Sequence, residues 1–264
     1  MEHLVFQLHA PLSSWGEPAV GEFRGTGEMP THSAVIGLLG AALGLDRSDE
    51  TAHAALRDGY GLAVALLSSG SLLRDYHTAQ VPPASKLKGR PHATRRHELS
   101  VPKEDLGTIL STRDYRQNAA NLVALQPREG MLAPHTLSEL ADSLRLPKFT
   151  LYLGRKSCAP AAPLWPQLID ADSAWAAFQH YVERFEAARQ AAGKTQKVLP
   201  LESLPRISKL AFDDHVTAGL PSDLTVRRKD RMIRRQGWQF GDRNEHIALI
   251  PDVLPTTPTL TAEA

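Results

Sequence analysis

One run of side chains able to bind an anion lies between Tyr76 and His97 and contains no acidic residue. Phosphates attract such a segment, and its prolines and Gly89 keep it extended enough to follow a nucleic-acid strand. A solvated, mobile basic loop is the alternative interpretation, because basic clusters are common on protein surfaces. The basic residues of the run are Lys86, Lys88, Arg90, Arg95 and Arg96.

A second basic run lies near the C-terminus and is followed closely by Trp238 and Phe240. Basic residues beside aromatic rings suit RNA, because guanidinium groups bind phosphate and rings stack on bases. The alternative is that the two rings belong to a core strand while the arginines face water. The run comprises Arg227, Arg228, Lys229, Arg231, Arg234 and Arg235.

A third candidate is a pair of similar short motifs, Arg74-Asp75-Tyr76 and Arg113-Asp114-Tyr115-Arg116. Each offers a phosphate contact beside a ring that can stack on a base. The alternative is two solvated strand ends whose local ion pairs contribute less than about 1 kcal/mol each.

Residues that could catalyse a reaction are few. The chain lacks the HExxH, HxH, GxxxxGK[ST] and GxGxxG motifs, and Cys158 is its only cysteine, which excludes an internal disulfide and a thiolate zinc site. Asp213-Asp214-His215 is more typical of a turn than of a metal site. We therefore expect no metal and no cofactor. Metal-free RNA cleavage needs only a general base near a 2′-hydroxyl, and His77 beside Tyr76 keeps that alternative open.

The composition predicts a folded protein whose partners are selected by local charge. The 264 residues are 42% hydrophobic, and 30 basic against 29 acidic residues leave a formal charge of +1. The N-terminus lacks the basic region and long apolar run of a secretory signal. No stretch approaches the roughly 20 apolar residues needed to cross a bilayer. These features predict a cytoplasmic protein that does not contact a membrane.

Apolar spacing predicts the element order β-α-β-β-α-β. One helix is expected from Ser33 to Leu43, stopped by Gly44, and another from Thr136, where Glu139 can complete a capping box. This order is typical of an α+β, ferredoxin-like domain of the RNA-recognition-motif type, with its helices on one face of an antiparallel sheet. The strands are expected at residues 4–8, 60–67, 121–125 and 149–153, with a further one at 72–76.

Two features extend this scheme. An irregular, proline-containing segment of about 35 residues, 78–112, is inserted between the second and third strands, and a loop that long is usually functional or disordered. After a long helix over 173–192, short strands are expected near 224–226, 238–240 and 246–250. We therefore expect a ferredoxin-like domain over 1–165, a small β-rich C-terminal part over 166–250 and a frayed tail over 251–264.

The chain opens with Leu8-His9-Ala10-Pro11-Leu12-Ser13-Ser14-Trp15-Gly16, an L-x-x-P-x-x-x-W-G pattern. Further motifs follow in order: Arg24-Gly25-Thr26-Gly27, Pro30-Thr31-His32-Ser33, the glycine-rich helix from Gly37 to Gly44, Leu73-Arg74-Asp75-Tyr76-His77-Thr78, Arg113-Asp114-Tyr115, and Tyr152-Leu153-Gly154-Arg155-Lys156-Ser157-Cys158. Together they span residues 4 to about 165 and resemble the CasD family, the type I-E Cascade subunit that binds the 5′ handle of crRNA. Many members have a glutamine in place of Ser14 and a basic residue in place of His32.

The resemblance implies a subunit without enzymatic activity that works in antiviral defence. It would hold the 5′ handle of crRNA, cap the filament of backbone subunits, contact the large subunit and meet target DNA only through the complex. Residues 78–112 would be the family's thumb. A related type I-C family cleaves its own RNA, which gives the metal-independent endoribonuclease as the alternative. The implied RNA-binding residues, besides the five of the first basic run, are Trp15, Arg24, Thr31, Ser33, Arg74, Tyr76, His77, Arg113, Tyr115, Arg155 and Lys156.

Overall fold

The computed structural model describes residues 1–16, 19, 21–195 and 203–251, and a large antiparallel sheet forms its centre. Within these residues seven strands pair in the order β10-β11-β9-β4-β7-β1-β8, and every pairing is antiparallel. The strands are β1 (Glu2–His9), β4 (Tyr60–Ser68), β7 (Ala120–Pro127), β8 (Gln167–Asp170), β9 (Lys209–Phe212), β10 (Leu224–Arg234) and β11 (Gln239–Leu249).

Both faces of this sheet are covered by helices. The side chains of β1 alternate between the faces, so Phe6 packs with Leu39 and Leu140 of the first set of helices, while Val5 packs with Phe178 on the opposite side. The two helices predicted for the β-α-β-β-α-β unit pack on one face, and the long helix predicted after that unit covers the other face. The helices are α1 (His32–Leu43), α2 (Glu50–Gly59) and α5 (Leu137–Arg145) on one side, and α6 (Ala174–Thr195) on the other.

Local capping explains where the helices begin and end. Thr31, rather than Ser33, is the N-cap of α1, and its hydroxyl accepts a hydrogen bond from the Ala34 N–H at 3.2 Å. Gly44 ends α1 in the left-handed region with φ 74°, as predicted. The capping box of α5 between Thr136 and Glu139 is also confirmed. Helix α2 was not predicted.

The segment predicted as an irregular insertion is partly a long β-hairpin. Strand β5 (Ser71–Val81) pairs along its whole length with β6 (Gly107–Gln117), so the irregular part shrinks to 82–106. Both strands are largely exposed, so they lack the apolar alternation that marks a half-buried strand. Two short strands, β2 (Leu12–Ser13) and β3 (Phe23–Arg24), also pair with β6, and 82–106 contains α3 (Ala84–Leu87), α4 (Arg95–Glu98) and a 3-10 turn (Lys103–Asp105).

The predicted closing strand at 149–153 is wrong. The N–H groups of Lys148 and Phe149 instead donate to Ala42 and Ala41, the free carbonyls at the end of α1, and β8 is the strand that pairs beside β1. Strands β9, β10 and β11 continue the same sheet beyond β4, and the last two are longer than predicted. The division into domains stays a prediction.

Two predicted segments reach outside the described residues. The tail over 252–264 and residues 196–202 of the predicted C-terminal part fall there. Helix α6 ends at Thr195, three residues beyond the predicted end at 192. Within the described residues, no helix is both long and apolar enough to cross a membrane.

Candidate nucleic-acid interface

A cavity of about 380 Å³ lies between α1, the segment over 150–155 and the turn that joins β10 to β11. Arg24, Arg155 and Arg235 line it, and among the described residues no aspartate or glutamate does. The hydroxyl residue Ser33 and the aromatic residue Trp238 lie on its wall. Positive groups without lining carboxylates favour an anionic ligand, and aromatic rings favour one that carries a flat base.

Gly37 of helix α1 leaves open space on the cavity wall, because it has no side chain. A Cβ built on Gly37 would have one neighbour within 4 Å, a guanidinium nitrogen of Arg235 at 3.8 Å. Gly40 serves packing instead, since a Cβ there would lie only 2.9 Å from the ring of His53. A neighbouring side chain therefore approaches this helix closely at Gly40, while Gly37 keeps the cavity open.

Side chains of α2 hold the end of the β10–β11 hairpin through hydrogen bonds to its backbone. The carboxylate of Glu50 accepts hydrogen bonds from the N–H groups of Arg235 and Gln236, at 3.1 and 2.8 Å. Arg57 donates to the carbonyls of Met232 and Ile233, at 3.0 and 3.1 Å. These contacts fix the backbone of Arg235 and leave its side chain to face the cavity.

A buried ion network ties the same hairpin to the start of α1. Arg243 donates to both carboxylate oxygens of Asp230, at 2.7 and 2.9 Å, and to Asp213 and Glu245, at 2.8 and 2.6 Å. Asp230 is 1% exposed and also accepts from the His32 N–H at 2.9 Å. Removing one partner from such a network leaves a buried charge uncompensated.

His32 and Asp213 carry strongly shifted pKa values inside this network. Burial, followed by repulsion from Arg243, lowers the pKa of His32 to about 4. Burial also raises the pKa of Asp213 to about 6, against the opposing charge of Arg243. At neutral pH His32 is therefore uncharged.

Three of the predicted contact residues are structural. Trp15 is 2% exposed in the core, where burial of its large ring is favourable, so the ring is not available for stacking. Thr31 is also 2% exposed and caps α1, although it contributes to the lining of the cavity. Tyr115 is buried beneath the guanidinium of Arg155, which lies 4.6 Å from the ring centre. Arg155 is further held by the carbonyls of Asp114 and Arg24, at 3.2 and 3.1 Å.

The charge of Arg74 is largely compensated. Its guanidinium makes a two-point contact with Asp114, at 2.9 and 3.1 Å, and hydrogen bonding from Arg74 lowers the pKa of that carboxyl. Arg74 also lies 5.4 Å from the ring centre of Phe23. Arg113 is half-buried on the neighbouring strand, and Lys156, which follows Arg155 in the chain, is exposed.

In the folded chain, acidic side chains lie beside some of the basic residues of the first basic run. Lys86 lies 2.9 Å from Asp105, and Arg95 lies 2.7 Å from Glu98. Arg90 donates to the Ser100 carbonyl at 3.2 Å. Lys88 and Arg96 are exposed, and neither has an ion pair within the described ranges. The free positive charge is therefore smaller than the acid-free sequence suggests.

Tyr76 and His77 are both exposed, Tyr76 by 65%, and they are successive residues of β5. Successive side chains of a strand point to opposite faces. The two residues therefore do not form one site on a single face of the hairpin. In the described part of the chain, no group of three or more His, Cys, Asp or Glu could hold a metal ion.

The second basic run divides into paired and cavity-lining residues. Arg227, Arg228 and Arg231 lie against Asp242, Glu245 and Asp58 respectively. Arg235 instead lines the cavity with Trp238 and Phe240, and burial, followed by the charge of Arg47, lowers its pKa. The second basic run with its two aromatic residues therefore did point to Arg235, Trp238 and Phe240, although the family resemblance did not include them among the implied RNA-binding residues.

A second cavity, of about 430 Å³, is lined by residues of β10, of β11 and of the segment over 213–215. Its lining mixes arginines with carboxylates, and the pairs Arg227–Asp242 and Arg243–Asp213 are both part of it. The compensated charges attract a phosphate less than the acid-free lining of the smaller cavity does. We therefore treat the smaller cavity as the candidate interface.

Comparison with known proteins places this chain among CRISPR-associated proteins. The family model described as CRISPR-associated protein (Cas_Cas5) matches residues 3–242. The chain belongs to this Cas5 family. Within the family, it is 34% identical over 174 residues to the CRISPR system Cascade subunit CasD of Escherichia coli (strain K12), over 62% of this chain and 69% of that protein.

Two solved structures share the fold of this Cas5-family chain. A chain of a CRISPR RNA-guided surveillance complex has a TM-score of 0.58 at 21% identity, covering 94% of this chain and 89% of that one. A structure described as that of a Cas protein has a TM-score of 0.54 at 23% identity, covering 94% and 95%. At these identities the likeness concerns the fold.

Proposed function

We propose that this Cas5-family chain is an RNA-binding subunit of a Cascade surveillance complex and that it holds the 5′ handle of crRNA. The observation that carries the proposal is the acid-free cavity lined by Arg24, Arg155 and Arg235. Phosphate groups supply most of the affinity in nucleic-acid binding, and arginine is well suited to contact them. The 34% identity to a Cascade subunit CasD adds support.

The arrangement of elements supports a ferredoxin-like core with an inserted thumb. The chain order β1-α1-β4-β7-α5-β8 and the sheet order β4-β7-β1-β8 are those of a ferredoxin-like domain. In this proposal the β5–β6 hairpin and residues 82–106 form the thumb, which presses on the guide and contacts the neighbouring backbone subunit. The chain then caps the backbone filament beside the large subunit and meets target DNA through the complex alone.

The proposed role is holding RNA rather than cutting it. Cleavage by Tyr76 and His77 together would require both side chains to reach one 2′-hydroxyl, and successive strand residues point apart. The endoribonuclease alternative therefore depends on one of these residues acting with a group elsewhere.

The test is incubation of the purified chain with labelled repeat RNA in EDTA, scored for both retention and cleavage. We expect retention of a 5′-handle RNA without cutting. Salt dependence provides a second readout, since each phosphate contact on single-stranded RNA contributes a slope of about −0.7. The three cavity arginines with Lys88 and Arg96 predict a slope of about −3.5.

Specific cutting in EDTA would favour the endoribonuclease instead. The variants Tyr76→Phe and His77→Ala would then show which of the two residues is needed. A slope near zero, or no retention at low salt, would contradict the RNA-holding role itself.

A further inference from the structure

Three aromatic side chains surround the acid-free cavity and leave part of their rings open. Trp238 is 55% exposed and Tyr152 is 40% exposed, while Phe240 is half-buried and also lines the cavity. Large aromatic side chains normally bury their surface, so an exposed group beside arginines indicates a place for a flat, uncharged ligand surface.

Trp238 lies in the turn between β10 and β11, where an arginine contacts its ring. Trp238 has φ 51°, in the left-handed region that residues with a large side chain rarely adopt, and it follows Gly237 with φ 75°. The guanidinium of Arg47 covers the indole at 4.4 Å from the ring centre. An unfavourable backbone conformation maintained by its surroundings is typical of a functional position.

The nearby arginines offer the complementary contact for a phosphate. The Nε of Arg235 is buried and has no hydrogen-bond partner among the described residues, and its guanidinium lies over the bare backbone of Gly37. Arg155 on the same wall is fixed by the carbonyls of Asp114 and Arg24, so its position is set before a ligand binds. Positively charged hydrogen-bond donors and aromatic rings therefore line the same cavity.

We propose that this cavity receives a single nucleotide of the bound RNA, whose base turns out of the strand and stacks on Trp238 and Phe240 while its phosphate contacts Arg235 and Arg155. The inference rests on the proposed function and extends it from holding a strand to reading one position. The cavity volume of about 380 Å³ is within the usual range of about 300–1,000 Å³ for small-ligand sites. Single-stranded RNA is commonly recognised through unstacked bases of this kind.

The test scans the RNA rather than the protein. Each nucleotide of the 5′ handle is replaced in turn by an abasic ribose, and the Kd for the unmodified chain is measured by filter binding. Loss of one stacked base weakens binding by about 5- to 100-fold, so one position should show this loss while the others change by about twofold or less. Equal small effects at every position would overturn the inference.

Protein variants then locate the pocket. Trp238→Ala should weaken binding of the intact RNA by a similar factor and should remove the sensitivity of that one position, while Trp238→Phe should retain most of both. Phe149→Ala is the matched control, because Phe149 is 52% exposed and does not line the cavity. An abasic pattern unchanged by Trp238→Ala would overturn the assignment.

Two outcomes separate this inference from the function on which it rests. Retention of the handle with a steep salt slope but a flat abasic scan would leave the RNA-holding role intact and refute the single-nucleotide pocket. Failure to retain any handle RNA would refute the proposed function. Saturable binding of free 5′-mononucleotides with a flat abasic scan would assign the cavity to a soluble nucleotide and overturn its role in reading RNA.

Discussion

Replacing Arg243 by alanine should lower the stability of the chain much more than replacing another arginine of the same hairpin. The side chain of Arg243 is 10% exposed and that of its partner Asp230 is 1% exposed. Removal of Arg243 leaves Asp230 buried without its main cation, which costs about 3–5 kcal/mol. For a chain of this size each kcal/mol corresponds to roughly 2–4 °C in Tm, so we expect a fall of roughly 6–20 °C.

Arg227→Ala is the matched control for this experiment. Arg227 belongs to the same hairpin and pairs with Asp242 at 2.9 Å, but the two side chains are 77% and 44% exposed. An exposed pair contributes about 0–1 kcal/mol, because water already solvates both charges and the pair orders two flexible side chains. The Tm of Arg227→Ala should therefore change by no more than roughly 4 °C.

The assay is thermal unfolding followed by circular dichroism at pH 7, with RNA retention measured well below both transitions. Because the network joins β10 and β11 to the start of α1, Arg243→Ala should also weaken handle binding by displacing Arg235 and Trp238 from the cavity. Equal changes in Tm for the two variants would refute the argument that burial decides the value of these ion pairs.

Three further predictions concern pH, helix packing and RNA contact. The pKa of His32 is about 4 in the folded chain and about 6.5 for an ordinary histidine, so the unfolded chain takes up this proton first and His32 costs stability as pH falls from about 6.5 to about 4. Relative to His32→Gln, the unmodified chain should lose up to about 3 kcal/mol between pH 7 and pH 4, as measured by urea unfolding. Gly37→Ala should stabilise α1 by about 0.5–1 kcal/mol, because alanine favours the helix more than glycine does. Gly40→Ala should destabilise α1, because the methyl group added at Gly40 meets the ring of His53. Similar changes in Tm for the two variants would contradict this prediction. Five basic residues are replaced together by alanine in the last variant: Lys86, Lys88, Arg90, Arg155 and Lys156. Guide retention and complex assembly should weaken, while the circular dichroism spectrum stays unchanged. Unchanged assembly would contradict the RNA-holding role.

Short-range patterns in the sequence predicted the regular elements whose side chains are half-buried or capped. The alternation over 4–8 predicts β1, Gly44 predicts the end of α1, and Thr136 with Glu139 predicts the start of α5. These features depend on residues only a few positions apart, so the chain needs no distant partner to specify them. The ordered motifs likewise predicted the family.

Strand β6, most of the length of β5 beyond the predicted 72–76, and strand β8 were not predicted, for the opposite reason. Both faces of the hairpin are largely exposed, so its residues need not alternate, and its pairing joins Ser71 to Gln117. Strand β8 has only four residues, too few to show a period, and is recognised as a strand by its pairing with β1. Such elements are specified by contacts between distant segments.

The sequence by itself determined that basic and aromatic residues are present in the combination that RNA binding requires. Only the tertiary structure decided which of them are available. It buries Trp15, pairs Lys86 with Asp105, and brings Arg235 to within 3.8 Å of the Cβ position of Gly37. The physical reason is that charge compensation and burial depend on distance in space, and folding joins residues that lie up to about 200 positions apart in the chain.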